Sequence, residues 1–593
     1  MIFGKHINKY YRKYFFGLSL GFLALLLVDY VQLIVPNLYQ MVINGINQGF
    51  VEIEGVTVPF DMDFLLDRIC FPMIWIILAM VTGRFLWRIG LFGSAIKVET
   101  DLRNEMFDHA KDLSRQYYHE NKVGDLMSRF TNDLETVQDC FGSGFVVVFD
   151  IVLLGGLSVY KMYTMNGIMT LFVLIPMTIL VIISTIVGKS MTDKWEIRQQ
   201  AFSNLSDFSQ ESFSGIAVVK AFVKETKELM AFKKLNIENE NANVDFTKVS
   251  ILLRVLVTLF IESVICIILG YGGYLVHEGV FNAGELMEFI GYFDAAIWPM
   301  MAISELIDMS SRGKASLKRI SELLDAKQDI CDRPDVTDLG PVTGNIEFRD
   351  LTFRYPTGEY DALQNVSFTI NAGESVGFVG KTGSGKTTMV DLLLRMYNVP
   401  DGTIFVDGHD VNTVPIRQIR DAIAYVPQDN FLFSDSIANN VAFTNESPNM
   451  EEVVHAARLA DVDSNIREFS EGYDTVLGER GVTVSGGQKQ RISIARALMK
   501  KAPILILDDS VSAVDTKTER TILENLRSTD YRRTTILIAH RISTIERMDK
   551  IVFIDNGRVI AVGAHTELYK TCPEYRRMVD LQKLEEEGAK HNA

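Results

Sequence analysis

The stretch that decides the fold is Gly380-Lys381-Thr382-Gly383-Ser384-Gly385-Lys386-Thr387. It fits the phosphate-loop pattern of a Gly, four residues and then Gly-Lys-Ser/Thr. An apolar run suited to a buried strand precedes it at residues 374–379, and Leu and Met at helical spacing follow it at 388–396. Glycines let backbone N–H groups fold round a polyphosphate, and the helix N-terminus adds partial positive charge. The pattern therefore predicts a nucleotide-binding loop.

Two further features predict the chemistry of this loop. Lys386 is placed to reach terminal phosphates, and the hydroxyl of Thr387 is placed to bind Mg²⁺. Residues 504–509 then form an apolar strand that ends in Asp508 and Asp509. A buried parallel strand that ends in acids is where an α/β sheet presents ligands for Mg²⁺ and water.

Other polar groups are predicted near the same sheet edge. Ser485 is a typical N-cap, and the glycines that follow it, Gly486 and Gly487, leave backbone N–H groups free for an anion. A strand at 534–539 ends in His540, although a single His at a strand end is usually structural. Tyr355 either stacks on an adenine ring or belongs to the core.

Composition divides the 593 residues into two halves. Up to about residue 310 there are apolar runs long enough to span a bilayer, whereas beyond about 340 the composition is that of a soluble α/β domain. The net charge of −16, with no basic face, gives no support to nucleic-acid binding. The five cysteines lie far apart, so neither a disulfide framework nor a zinc site is indicated.

The first half is predicted to cross the membrane six times. Four basic residues among the first 14, with no acid, place the N-terminus in the cytoplasm. The spans are expected at 15–36, 69–91, 141–163, 168–188, 251–276 and 286–307.

Two polar stretches, 94–139 and 189–248, are too long for tight loops and are predicted to continue as helices into the cytoplasm. Gly124 and Gly215 indicate turns with short crosswise helices that contact the soluble domain. Surface loops are the alternative.

Several ionisable residues fall inside the predicted spans: Asp29, Arg84, Asp150, Arg254, Glu262 and Asp294. Because such groups are costly against lipid, each is expected to face a cavity, a partner helix or the membrane surface. Glu262 and Asp294 lie on segments rich in Phe, Met and Ile that suit a cavity for amphipathic cations. An interhelical ion pair that fixes packing is an equal alternative.

Taken in order, these motifs resemble the ATP-binding cassette of ABC transporters. The set is Tyr355, the phosphate loop, Gln428 in Val426-Pro427-Gln428, Gly478-Glu479-Arg480-Gly481, Ser485-Gly486-Gly487-Gln488, Asp508, Ser512-Ala513-Val514-Asp515 and His540. The half before it is similar to ABC exporters of the fused type. The expected fold is thus an all-α six-helix transmembrane domain (1–325), a linker (326–343) and an α/β P-loop NTPase domain (344–593).

The resemblance implies the following roles. Tyr355 stacks on adenine, and His540 contacts the γ-phosphate. Phosphate is bound by Gly380, Lys381, Thr382, Gly383, Ser384, Gly385, Lys386, Thr387 and Thr388, and Mg²⁺ is bound by Thr387, Gln428 and Asp508. The site of a second cassette is completed by Ser485, Gly486, Gly487 and Gln488. Gly478–Gly481 resembles the loop that touches the crosswise helices. Two cassettes pair in this family, so a second subunit is expected.

One position departs from the family pattern. After Asp508 the family normally has Glu as the general base, and here stands Asp509. Its carboxylate retreats by about 1.5 Å, and displacements near 1 Å can slow a reaction on the order of 100-fold. With a nearly consensus signature, this resembles the degenerate-site subunit of a heterodimeric exporter. A homodimer that tolerates Asp is the alternative.

The sequence therefore predicts an ATP-driven exporter subunit in the cell membrane, with its N-terminus and cassette in the cytoplasm. ATP and Mg²⁺ are the expected cofactors, and amphipathic compounds, in particular drugs, are the expected cargo. Alternatives are a lipid or peptide exporter, an ATP-gated channel or regulatory subunit, and an importer on the same architecture.

Overall fold

A computed structural model describes residues 3–53, 56–445, 449–478, 481, 483–510, 514–528, 533–539 and 541–591 of the chain. The chain forms two compact units. The membrane unit comprises Met1–Lys111 and Lys122–Ala326, and the cassette unit comprises Asp112–Asn121 and Lys327–Ala593.

Among its described residues, the first half of the chain is helical apart from one hairpin. Its elements are α1 (Asn8–Lys13), α2 (Phe15–Gln32), α3 (Val35–Gln48), β1 (Phe50–Ile53), β2 (Val56–Pro59), α4 (Met62–Phe64), α5 (Phe71–Ala110), α6 (Arg115–Glu120), α7 (Val123–Ser128), α8 (Leu134–Phe149), α9 (Gly156–Met165), α10 (Gly167–Ser214), α11 (Ile216–Ala221), α12 (Glu225–His277) and α13 (Ala283–Leu324). Three π-helical segments, Leu65–Cys70, Arg129–Asp133 and Asp150–Gly155, join neighbouring helices.

The prediction of six membrane-crossing helices is confirmed. Six helical stretches in the described part of the chain are long and apolar enough to cross a membrane. Most extend well beyond the predicted spans, because helix formation continues where apolar composition ends; α10 and α12, for example, run for 48 and 53 residues. The first span does not end at Pro36, since proline is tolerated in the first turn of a helix and α3 begins at Val35.

The short helices in the cytoplasmic stretches follow the prediction only in part. Gly215 separates α10 from α11, as expected. Gly124, however, lies inside α7, and the chain breaks instead at Asn121 and Lys122, both in extended conformation. The Asn121 side chain donates a hydrogen bond to the carbonyl of Tyr117 (2.9 Å) and so competes with continued helix formation.

Glycines allow α2 and α5 to pack backbone against backbone. A Cβ on Gly90 would lie 2.8 Å from the carbonyl oxygen of Gly17 and 2.8 Å from the Cα of Gly21. A Cβ on Gly21 would lie 2.7 Å from Leu91. Small residues permit this approach, and dispersion between close backbones stabilises helix pairs in membranes.

Two sheets form the second half of the chain. Its strands are β3 (Ile346–Arg354), β4 (Asp361–Ile370), β5 (Ser375–Val379), β6 (Ile404–Val406), β7 (His409–Asp410), β8 (Ile423–Val426), β9 (Ile504–Asp508), β10 (Thr534–Ile538), β11 (Lys550–Asp555) and β12 (Arg558–Gly563). The larger sheet has the order β12-β11-β5-β10-β9-β8, in which only the β11–β12 pair is antiparallel. The smaller, antiparallel sheet has the order β4-β3-β6-β7.

Helices cover the larger sheet. They are α14 (Lys386–Leu393), α15 (Ile416–Asp421), α16 (Ile437–Val441), α17 (Met450–Leu459), α18 (Asp463–Arg467), α19 (Gly486–Met499), α20 (Thr516–Ser528), α21 (Ile542–Ile545), α22 (His565–Thr571) and α23 (Pro573–His591). Separate apolar cores lie on the two faces of this sheet, and α14 and α19 belong to different cores. The predicted α/β fold is confirmed.

The segment predicted as a linker, 326–343, has neither helix nor strand but is bound to the cassette unit. Arg333 forms an ion pair with Asp401 (2.5 Å). The backbone N–H of Thr337 donates to the carbonyl of Thr413 (2.8 Å). These contacts hold the segment 326–343 against the loops that flank β6 and β7 of the smaller sheet.

We predict that Gly90→Ala destabilises the membrane unit, whereas Gly93→Ala, three residues further along α5, does not. The added methyl at position 90 meets backbone atoms that cannot move aside, but nothing lies within 4 Å at position 93. Overpacking costs on the order of 1–3 kcal/mol. Thermal unfolding in detergent should show a lower midpoint for Gly90→Ala only; equal midpoints for the two variants would contradict the backbone contact.

Candidate nucleotide-binding site

The loop between β5 and α14 has the backbone shape of a phosphate cradle. Gly383 and Gly385 have φ values of 80° and 101°, which favour glycine. A Cβ on Gly380 would lie 2.0 Å from the carbonyl oxygen of Ile554, and one on Gly385 would lie 2.9 Å from the carbonyl of Ala362. The loop therefore fits closely against neighbouring backbone and leads directly into a helix N-terminus, as a polyphosphate requires.

Lys386 lies inside this loop, with 6% of its surface exposed. Its Nζ donates hydrogen bonds to the carbonyl oxygens of Gly380 (2.9 Å) and Lys381 (2.7 Å) and to Ser384 Oγ (3.4 Å). Burial lowers its pKa, while the carboxylates at the end of β9 oppose this shift. The ammonium is thus held at the centre of the loop, where a phosphate oxygen can replace a carbonyl as its acceptor.

The predicted Mg²⁺ ligands Thr387 and Asp508 lie together. The Thr387 hydroxyl donates to Asp508 Oδ1 (3.3 Å), and the Tyr425 hydroxyl donates to Oδ2 (3.5 Å). Burial raises the pKa of Asp508 to about 6, an increase to which the charges of Asp391 and Asp509 contribute. A buried carboxylate surrounded by acids and hydroxyls is a suitable environment for a divalent cation.

Asp509 and Gln428 line one cavity of about 300 Å³. Asp509 follows β9 with a left-handed φ of 46°. Its backbone N–H donates to the carbonyl of Ile538 (3.0 Å), and its own carbonyl accepts from Gln490 Nε2 (3.2 Å). Gly486 lines the same cavity. The structure therefore brings the predicted base and the predicted glutamine together.

The signature Ser485–Gln488 opens α19 with a reciprocal cap. Ser485 Oγ accepts from the Gln488 backbone N–H (3.3 Å), and Gln488 Oε1 accepts from the Ser485 N–H (3.0 Å). Gly486 is exposed, and Gly487 is half-buried. This 14-residue helix begins with a fixed, accessible N-terminus.

Tyr355 packs in the core and lies beside the phosphate loop. Its ring packs edge-on against Phe353 and Tyr397, with centroids 5.1 Å away in each case. Its hydroxyl is 2.9 Å from Oγ1 of Thr388, the second threonine of the phosphate-loop helix. The side chain is half-buried, so it belongs to the core and lies beside the loop. Adenine stacking stays a prediction.

Some predicted residues have no role defined by contacts. Lys381, Thr382 and Gly383 are exposed at the loop surface, and Lys381 Nζ is 3.8 Å from Asp555. His540, together with Glu479, Arg480, Ser512 and Ala513 of the quoted motifs, lies outside the described residues.

Sequence reasoning missed a charge pair beside the site. Arg115 of α6 binds Asp391 of α14, with Nη1 2.7 Å from Oδ1. Asp391 is buried, and burial raises its pKa although Arg115 opposes the shift. An acid at the sixth position of the phosphate-loop helix was the available signal, but its partner is 276 residues away.

The predicted substrate residues of the membrane unit lie apart from its apolar cavity. Glu262 and Asp294 are both exposed, and neither forms an ion pair within the described residues. The cavity, of about 140 Å³, lies between α10, α12 and α13. Its lining is Met177, Leu180, Val181, Ser184, Leu253, Val257, Ile261, Ile297, Met300, Met301 and Ser304. The role of Glu262 and Asp294 in substrate binding stays a prediction.

We predict that Asp508→Asn stabilises the nucleotide-free chain by more at pH 8 than at pH 5. Because the pKa of folded Asp508 lies above its ordinary value of 3.8, wild-type stability falls as the pH rises from about 4 to 6. The amide does not titrate, so it avoids a cost on the order of 1–3 kcal/mol above that window. Thermal midpoints should differ by a few degrees at pH 8. The control, exposed Asp421→Asn, should change neither midpoint, and a pH-independent gain for Asp508→Asn would contradict the assignment.

A second prediction concerns the Arg115–Asp391 pair. Arg115→Ala leaves a buried carboxylate without its cation and should destabilise the chain by roughly 1–3 kcal/mol. Asp391→Asn in the same chain should recover most of this loss. The surface pair Arg417–Asp421, at 3.6 Å, serves as the control and should show coupling near zero. Additive effects of Arg115→Ala and Asp391→Asn in thermal unfolding would show that the pair does not act as a unit.

Comparison with known proteins agrees with this geometry. Residues 18–300 match the family model described as ABC transporter transmembrane region, and residues 363–512 match the family model described as ABC transporter. The chain is 35% identical, over 99% of both sequences, to the probable multidrug resistance ABC transporter ATP-binding/permease protein YheI of Bacillus subtilis. It is 34% identical to the ATP-dependent lipid A-core flippase of Syntrophus aciditrophicus, over 88% of this chain and 87% of the flippase.

Solved structures show the same fold. A bacterial Atm1-family ABC exporter with ATP bound superposes with a TM-score of 0.77 at 25% identity, over 97% of this chain and 99% of that one. The chain therefore belongs to the ABC transporter family, as a half-transporter of the exporter type in which ATP hydrolysis at a cytoplasmic cassette drives transport through a multi-pass membrane region.

Proposed function

We propose that the chain is one subunit of a heterodimeric exporter of amphipathic compounds, and that its own phosphate loop forms a site that retains ATP. In this proposal the signature Ser485–Gln488 completes the hydrolytic site on the other subunit. The observation that carries the proposal is the position of Asp509, where the family normally has the longer Glu.

Hydrogen bonds hold the backbone at Asp509 in place, so it does not shift to make up for the shorter side chain. Its N–H is bound to Ile538 and its carbonyl to Gln490, so both sides of the residue are fixed. A carboxylate about 1.5 Å short of its working position then stays short, and water is poorly oriented. These backbone contacts support the proposal of slow hydrolysis at this site.

The signature, by contrast, has what an anion site needs. The reciprocal cap between Ser485 and Gln488 satisfies two backbone N–H groups and holds the start of α19 in one conformation. The neighbouring glycines leave N–H groups accessible to a triphosphate. An impaired base combined with a well-formed signature favours an unequal pair of subunits over a homodimer that tolerates Asp.

Thr387, Gln428 and Asp508 are the residues that we propose to hold Mg²⁺. The hydrogen bond from Thr387 to buried Asp508 supports this set, and Gln428 lines the cavity beside Asp509. Bound Mg²⁺ would neutralise charge on the terminal phosphates. Lys386 then binds the phosphates from within the loop.

The proposed cargo is an amphipathic small molecule such as a drug. An uncharged, methionine-rich cavity in the membrane unit suits apolar groups of varied shape. The flippase among the relatives makes lipid export the second candidate. ATP-dependent, saturable uptake into inside-out vesicles would support a pump, whereas single-channel currents would instead support an ATP-gated channel.

We predict that Asp509→Glu raises ATP turnover of the chain purified alone by roughly 10- to 100-fold, because the longer side chain recovers the missing reach. Asp509→Asn serves as the matched control and should leave the low wild-type rate nearly unchanged. Phosphate release measured at saturating ATP and Mg²⁺ tests both variants. Brisk wild-type turnover that disappears in Asp509→Asn would contradict the retained-ATP site.

A further inference from the structure

A carboxylate without a hydrogen-bond partner lies inside the membrane unit. Asp29 of α2 is 4% exposed, and its Oδ2 accepts no hydrogen bond within the described residues. An ionised carboxylate in such a place is costly, and acidic residues in membrane helices usually mark a binding or translocation site. Asp29 therefore needs a positive charge or a proton.

A second carboxylate approaches it from the third membrane helix. Asp150 is close enough to Asp29 for electrostatic repulsion. It begins the π-helical segment Asp150–Gly155, which packs against α2. Such π segments are rare and occur frequently at functional sites. Two neighbouring acids do not both ionise readily unless a cation lies between or beside them.

An exposed aromatic ring adjoins this pair. The indole N–H of Trp298 on α13 donates to Asp150 Oδ2 (3.2 Å), and the side chain is 50% exposed. A Cβ on Gly155 would lie 2.9 Å from Pro299, so the π segment and α13 are in close contact. An indole face beside a carboxylate is a favourable site for an organic cation.

Asp29 and Trp298 lie on the same side of a contact between the first and sixth membrane helices. Pro36 contacts α13 at Gly291, where an added Cβ would lie 2.7 Å away. The first and sixth membrane helices run in opposite directions. Asp29 lies seven residues before Pro36, across the turn between α2 and α3, and Trp298 lies seven residues after Gly291 along α13.

The neighbouring helices supply no counter-charge to these acids within the described residues. On α5, Arg84 and Arg88 are exposed, and Arg88 lies over the ring of Trp87. On α13, Glu288 accepts a hydrogen bond from Tyr292 (2.8 Å). The other charged groups of these helices near this depth are Asp294, which is exposed, and Asp150 itself on the π segment. Among the residues that the structure describes, no basic side chain forms an ion pair with Asp29 or Asp150.

We propose that Asp29, Asp150 and Trp298 form a binding site for the positively charged group of an amphipathic organic cation. The cationic group lies against Asp150 and the indole face. Asp29, buried near Asp150, holds a proton while the site is empty and releases it to water when the bound cation supplies the positive charge that its carboxylate needs. This inference rests on the proposed export of amphipathic compounds and specifies that those compounds carry a positive charge.

An apolar cavity for the rest of such a molecule lies next to the charged group. Ile297 and Met301, on either side of Trp298 along α13, line the cavity of about 140 Å³ in the membrane unit. That volume accommodates a ring or a short chain rather than a whole drug. The charge site and the cavity together account for an amphipathic ligand.

The test compares two dyes in inside-out vesicles that contain the transporter. Ethidium carries a permanent positive charge, and calcein acetoxymethyl ester is neutral. Asp150→Asn should reduce ATP-dependent ethidium uptake at least tenfold and change uptake of the neutral ester less than twofold. Asp150→Glu should restore ethidium uptake. The control Glu305→Gln, an exposed acid seven residues beyond Trp298 on α13, should change neither dye.

Proton release on cation binding is measured with purified transporter in weakly buffered solution. Wild-type protein should release up to one proton per ethidium bound, and Asp29→Asn should release none while still binding the dye. Equal loss of both dyes in Asp150→Asn, or unchanged ethidium uptake, overturns the cation site. Uptake of the neutral ester alone by wild-type vesicles overturns it and leaves export intact, whereas uptake of neither dye overturns the proposed cargo as well.

Discussion

The nucleotide site depends on the close approach of backbone segments at the end of β5. Gly380 and Gly385 can occupy their positions only because they lack a Cβ, since the carbonyls of Ile554 and Ala362 lie where that atom would be. The loop that results encloses the Lys386 ammonium and directs the N-terminus of α14 towards the same space. The parallel order β5-β10-β9 then brings Asp508 to that edge of the sheet.

Buried charges link this edge to a distant part of the sequence. Asp508 is hydrogen-bonded to Thr387 of the phosphate loop. Asp391 lies one turn along α14 from Thr387, and its charge contributes to the raised pKa of Asp508. Arg115, contributed by α6, offsets the charge of Asp391. Because α6 interrupts the membrane half of the sequence yet belongs to the cassette unit, displacing it would change the charge balance beside the proposed Mg²⁺ ligands.

The sequence was sufficient where the signal is local. Apolar runs predicted six membrane helices, and the phosphate-loop pattern located Lys386, Thr387 and the strand that ends in Asp508. It was insufficient where partners are remote or where helical and nonhelical polar segments look alike. Neither the Arg115–Asp391 pair nor the Trp298–Asp150 hydrogen bond leaves a pattern within a short window. The break at Asn121 was misplaced to Gly124, because glycine is tolerated inside α7.

The β1–β2 hairpin was also not predicted, although alternating side chains in Phe50–Ile53 and Val56–Pro59 carry a strand signal. Glu262 and Asp294 were selected for their central position in apolar segments, whereas burial distinguishes Asp29 from them. Hydropathy reports depth in a membrane but not which face of a helix is covered. Contacts between helices are therefore needed to choose among acids of similar depth.

The most direct test of the unequal-pair account follows the γ-phosphate on each subunit. The transporter with its partner is allowed to turn over photoreactive azido-ATP labelled at the γ-phosphate, and is then crosslinked after a chase with unlabelled ATP. The account predicts that label persists on this chain and is lost from the partner. Loss of label from both subunits at the same rate would contradict it.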